Sequence, residues 1–207
     1  MISSFFTFMR NTFDEKLRNP CDTPMMKKIF RHKAAVPWTI LDKEIVDEII
    51  FKTPSQRNRL LLELMARGGM RIGEVLEITP ADLQEQKILL HNPKSGRESE
   101  VVFIPQKIAV RLKKYVQENK IGLYDRIFPI GYAGARTAVK NSGKLAGISL
   151  NPHDLRRHAA TFASRAGTPI EIVSKVILRH ANLSTTQRYL GKVSEPEAVR
   201  WIENLYK

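Results

Sequence analysis

Five basic side chains and one phenol, Arg71, Lys94, His153, Arg156, His180 and Tyr189, form a set in this chain whose types suit one reaction. A phosphodiester under attack gathers negative charge on its non-bridging oxygens, and two guanidiniums can hold those oxygens by paired, charge-assisted hydrogen bonds. A tyrosine hydroxyl can supply the nucleophile covalently. Its ordinary pKa of about 10 means that a base or a positive field must help it ionise. Lysine and imidazole are suitable acids and bases for the leaving alkoxide and the attacking phenol. Other constellations are missing: the sequence has no G-x-x-x-x-G-K-[ST] loop, no H-E-x-x-H pair and no G-x-S-x-G elbow. His153 and His158 do not share a helix face, so no metal or other cofactor is expected.

These residues must be positioned by elements that the sequence signals. "RNRLLLELMA" (57–66) is a helical run stopped by Gly68 and Gly69; Arg71 then opens a short second helix, with Glu74 on its side. "KILLHNPKSGRESEVVFIP" (87–105) reads as strand, polar turn, strand, with Lys94 at the tip. Two amphipathic helices follow. The second, "GYAGARTAVKNSGKLAG", is basic on one side through Arg136, Lys140 and Lys144, candidates for DNA contact. "NPHDLRRHAATFASRAG" has Pro152 in its first turn and Gly167 as its stop, and places His153 and Arg156 on one side. "TPIEIVSKVILRH" opens with a capping-box spacing, Thr168 to Glu171. After His180 a turn of helix carries Tyr189. A last amphipathic helix opens with the same spacing, Ser194 to Glu197, and presents Val199, Ile202, Leu205 and Tyr206. The pattern predicts a mainly α fold with a small antiparallel β-sheet.

Upstream, Phe5, Phe6, Met9, Phe13 and Leu17 fall at helical spacing, and "NPCDTP" ends that element. A basic linker leads to "PWTILDKEIVDEIIF", with Thr39 as the expected N-cap. The expected division is 1–35, helix and linker, and 36–207, the main domain.

Composition names a kind of partner. The 207 residues hold 34 Lys plus Arg against 21 Asp plus Glu, a net charge of +13 that concentrates polyanions and points towards nucleic acid. Cys21 is the single cysteine, which excludes an internal disulfide and fits a reducing compartment. No export signal or membrane-length apolar run is present, so a cytoplasmic, DNA-associated location is expected.

"MRIGEVL", the lysine in "PKSGRE", "HDLRRHAAT" and "LRHANLSTTQRYL" occur in the order and spacing of the tyrosine recombinases, or phage integrases, which residues 36–207 resemble. The resemblance implies the catalytic-domain fold of that family and DNA cleavage and rejoining in site-specific recombination. By it, Arg71 is the first catalytic arginine and Glu74 steadies the site. Lys94 protonates the leaving 5′ oxygen, His153 and Arg156 form the second motif, and His180 hydrogen-bonds the phosphate. Tyr189 forms a 3′-phosphotyrosyl link. Double-stranded DNA is the implied partner, with self-association into a tetrameric synapse.

Two departures qualify this. Arg179 stands where the third motif usually has glycine, which is expected to add positive charge near the phosphate and alter the loop. Family members also carry a helical domain ahead of the catalytic one, closing with it as a clamp around DNA; residues 1–35 are expected to be a remnant of such a domain, leaving weak, salt-sensitive binding. Two alternatives stay open: relaxation of DNA in the manner of a type IB topoisomerase, and a DNA-binding remnant without catalysis.

Overall fold

A computed structural model of the chain describes residues 2–29, 40–91, 99–180 and 182–190, with helical pairs at 198–199 and 202–203. It divides into two units, Met1–Thr39 and Ile40–Lys207. In the first, helix α1 (Ile2–Thr12) is followed by a 3-10 turn (Pro20–Asp22) and α2 (Pro24–Ile29). The turn is capped by Asn19, whose Oδ1 accepts from the Cys21 N–H at 2.9 Å. The helix stops short of the apolar spacing, so Phe13 and Leu17 lie beyond it, and Phe5 and Phe13 are exposed.

The second unit opens with α3 (Lys43–Lys52), whose N-cap is Asp42. The expected cap, Thr39, falls outside the described residues, and Ile40 and Leu41 are not yet helical. Helix α4 (Gln56–Gly68) starts at Ser55, whose hydroxyl accepts from the Asn58 N–H. Leu60, Leu61, Leu62, Leu64, Met65 and Ala66 are all buried, so the helix is apolar nearly all round and must lie inside. It is packed by α3, by α5 (Ile72–Glu77), α6 (Gln106–Glu118), α7 (Tyr132–Lys144) and α8 (Pro152–Arg165).

The sheet is antiparallel in the order β1 (Leu83–Gln84), β2 (Lys87–His91), β3 (Ser99–Phe103). Its β2–β3 register runs from Lys87 opposite Phe103 to His91 opposite Ser99, the hairpin expected from sequence; β1 is an addition. Alternation puts Ile88, Leu90 and Val102 in the core, and Glu100 on the same side.

Helix α8 begins as expected with Pro152 at its first position, and Asp154 reaches back to accept from the Asn151 N–H at 2.8 Å. The next segment differs from expectation. Helix α9 (Ile170–Ile172) passes into a π turn, Val173–Ile177, and its N-cap is Pro169 with no side-chain cap bond. The Thr168 N–H that Glu171 would have to accept is given instead to the Ala163 carbonyl at 3.0 Å, so the capping box read at Thr168 and Glu171 does not form. Helix α10 (Leu183–Leu190) packs on α8 and the π turn. The box read at Ser194 and Glu197 lies outside the described residues, as do Leu205 and Tyr206, while Val199 and Ile202 are exposed.

Candidate phosphate site

The turn after α4 creates the site. Gly69 has φ 61°, and a Cβ there would stand 2.7 Å from the Ile177 carbonyl oxygen, so only glycine permits both the left-handed turn and the close approach of the π turn. That approach brings the Gly69 and Leu178 carbonyls together. Arg156, from the second turn of α8 and 1% exposed, donates Nη1 to the first and Nη2 to the second. One guanidinium thus binds the end of α4 to the end of the π turn, which leads directly to His180.

Arg71 is the N-cap of α5, and Glu74 holds it at two points. The carboxylate accepts from the Arg71 N–H at 2.8 Å and from its Nη1 at 2.5 Å. Burial pushes the Glu74 carboxyl up, but Arg179 and the two donors of Arg71 outweigh it, and the net shift is downward. Glu74 is therefore an anion at neutral pH.

His153 and His180 sit in the field of the same guanidiniums. His153, at the first turn of α8, has its pKa lowered by burial, then by Arg156, Arg157 and, more weakly, Arg71. His180 is lowered to about 4, again by burial and then by Arg156, Arg71 and Arg179. Both imidazoles are neutral near pH 7. The His180 ring is oriented by its Nδ1, 2.9 Å from the Thr186 hydroxyl, which bonds onward to the Ser174 hydroxyl at 2.8 Å.

Arg71, Glu74, His153 and Arg156 line a cleft of ≈ 560 Å³, which is also lined by His91 on β2 and Tyr132 at the start of α7. Arg136, Lys140 and Lys144 are exposed on α7, one turn apart from each other, and Tyr132 begins the same stripe. His158 is elsewhere: buried, it bonds the Leu41 carbonyl at 2.8 Å and stacks on Phe162. Another groove, ≈ 650 Å³, lies between α3, α4 and α6 and is lined by ion-paired residues such as Arg111 with Glu63. Among the described residues no cluster of histidine, cysteine or carboxylates suits a metal ion.

Lys94 lies outside the described residues. Tyr189 is on α10, three residues after Thr186, and its side chain is likewise outside them. Arg179 departs from expectation. Its backbone is left-handed, φ 51°, which accounts for glycine being usual there, and its side chain is buried rather than turned to a ligand. Its Nη2 bonds Glu74 Oε2 at 2.6 Å, and its Nε is 3.4 Å from Glu100 Oε2. Neither Glu100 nor the Ser174–Thr186 support of His180 stands out in the sequence, although strand alternation points Glu100 inward beside Val102.

Comparison with known proteins gives these positions a context. Residues 40–195 match the model of the phage integrase family. The tyrosine recombinase XerA of Saccharolobus solfataricus is 29% identical over 151 residues, 72% of this chain and 50% of that protein. A crystal structure of XerA recombinase superposes with TM-score 0.70 at 22% identity, over 100% of this chain and 74% of that one. The Tn1549 transposon integrase, solved in complex with transposon right end DNA, gives TM-score 0.73 at 16% identity, over 99% and 76%. The chain spans between half and about two-thirds of the length of such curated relatives.

Proposed function

The chain belongs to the phage integrase family, and on that premise we propose that it cleaves and rejoins duplex DNA through a 3′-phosphotyrosyl intermediate in site-specific recombination. The observation that carries the proposal is the convergence of Arg71, His153, Arg156 and His180. They come from three separate stretches of sequence, and burial together with the two arginines lowers the pKa of both histidines.

In this reading the scissile phosphate sits in the cleft against Arg71 and Arg156, whose charge stabilises the developing oxyanions. Glu74 fixes the first guanidinium, and the carbonyls of Gly69 and Leu178 fix the second. The Tyr189 phenolate attacks phosphorus, and a P–O(Tyr) bond replaces the P–O5′ bond. Lys94, by family resemblance, gives its proton to the departing 5′ oxygen. Neutral His153 and His180 supply hydrogen bonds to the phosphate and a route for the phenolic proton. Rejoining runs the same steps backwards, so the energy of the broken bond is kept in the phosphotyrosine.

DNA lies along the exposed α7 stripe of Arg136, Lys140 and Lys144, and strand exchange requires protomers to assemble on two duplexes, four by family resemblance. Such a protein works where the DNA is, in the cytoplasm or nucleoid. Residues 1–35 are read as the helix and linker that precede the catalytic domain, and 36–207 as the catalytic domain. A nicked duplex that loses its short 5′ fragment after cleavage tests the proposal. A protein–DNA adduct that survives denaturation supports it, and none at high protein concentration refutes it.

A further inference from the structure

Arg179 has no part in the chemistry just described, yet the molecule accommodates it at a cost. It occupies a left-handed backbone position uncommon for a residue with a side chain, and its side chain is 3% exposed. Opposite it stands Glu100 of β3, 4% exposed, neither of whose oxygens has a hydrogen-bond partner among the described residues. A buried carboxylate without donors is costly unless a cation faces it, and Arg179 is that cation at 3.4 Å. The two charges therefore form a pair across the loop and the sheet.

The pair ends on the phosphate site. Glu74 divides its oxygens: Oε1 takes Nη1 of Arg71, while Oε2 takes both the Arg71 N–H and Nη2 of Arg179. With Oε2 engaged in this way, the carboxylate cannot turn to take Arg71 through both oxygens. The rest of the Arg71 guanidinium, Nε and Nη2, then has no protein partner among the described residues. Without Arg179, only the Arg71 N–H would hold Oε2, and Glu74 could turn towards pairing with Arg71 side by side, the arrangement carboxylates favour with guanidinium.

We propose that Arg179 is a positioning residue for Arg71, acting through Glu74, and that Glu100 is its built-in counter-charge, so one buried ion chain ties β3 and the His180 loop to the phosphate site. The role rests on the cleavage reading above for its purpose, and on the geometry alone for its existence. It accounts for an arginine at a backbone position that glycine would occupy without strain.

The test combines Arg179→Met and Glu100→Gln, singly and together, with three readouts. Arg179→Met lowers Tm by orphaning Glu100 and by removing the bond from Nη1 to the Ile177 carbonyl, and adding Glu100→Gln restores the part of that loss due to the unpaired charge. Adduct formation on the nicked duplex stays slowed roughly ten- to a hundredfold in the double variant, because Glu74 still lacks its second partner. The Arg71 Nε–H signal in nitrogen-15 NMR, assigned with Arg71→Lys, moves in the double variant. Recovery of the adduct rate along with Tm would reduce Arg179 to a structural charge and overturn the proposal. No recovery of Tm would remove Glu100 as its counter-charge. A wild-type chain that forms no adduct would end the cleavage reading, and the Arg71 signal alone would then decide: moved, the positioning stands; unmoved, it falls.

Discussion

Glu74 grips Arg71 at both ends of the residue, by the backbone N–H at 2.8 Å and by the guanidinium at 2.5 Å. The same carboxylate thereby starts α5 and aims the cation that its first residue carries. Local folding and the proposed phosphate contact of Arg71 share one side chain, so a change at Glu74 reaches both.

Glu74→Gln is expected to weaken acid-limb behaviour in a defined direction. The folded carboxyl has its pKa below the ordinary 4.5, so its contribution to stability is present above that pH and is lost as pH falls through the lower folded value. Urea midpoints between pH 6 and pH 3 should fall more steeply for wild type than for Glu74→Gln. Parallel curves would show that the ion chain contributes no pH-dependent stability.

His180 should behave in a complementary way. Its pKa of about 4 lies under the ordinary 6.5, so the unfolded chain takes up a proton before the folded one does. Stability from this residue is full above pH 6.5 and declines as pH falls from there towards 4. Imidazole NMR titration should show the ring neutral at pH 6, and a midpoint near 6.5 would contradict the burial of the ring and the field of Arg156 and Arg71.

Arg156→Lys should fail despite keeping the charge. An ammonium cannot span the Gly69 and Leu178 carbonyls as the planar guanidinium does, and one buried acceptor is left bare at a cost of about 1–3 kcal/mol. Thermal melting should register that loss, and the nicked-duplex adduct should vanish with it. Wild-type stability in the lysine variant would mean that the clamp is not a fork.

Gly69→Ala tests the same junction from the other side. Its Cβ would need both a left-handed backbone and room that the Ile177 carbonyl occupies, which together cost on the order of 2–4 kcal/mol. Chemical denaturation should show this loss, whereas Gly73→Ala, whose Cβ meets nothing within 4 Å, should be close to neutral in stability.

Much of the site is legible in the sequence because its parts are local. The Gly68–Gly69 stop, the opening of α5 at Arg71, the hairpin and the start of α8 all follow from turn and cap chemistry within a few residues. What escapes is set by distant groups. The capping box at Thr168 fails because Pro169 takes the cap, and no periodicity in "EIVSKVIL" signals the π turn, which lies against Gly69. The role of Arg179 depends on Glu74 and Glu100, far away in sequence. Only the inward alternation of Glu100 with Val102 gives notice of it.

Salt dependence reads the proposed DNA surface. Replacing Arg136, Lys140 and Lys144 with alanine should weaken duplex binding alike on all sequences. The slope of log K against log salt should become shallower by about 0.9 for every phosphate that the variant no longer neutralises. An unchanged slope would place the DNA elsewhere.

The central claim is that Tyr189 becomes joined to DNA, and mapping the adduct tests it most directly. After trapping on a nicked duplex and protease digestion, mass spectrometry should find the nucleotide on the peptide containing Tyr189, attached through a 3′ phosphate, with no adduct in Tyr189→Phe. A nucleotide on another residue, or an adduct that persists in Tyr189→Phe, would contradict the account.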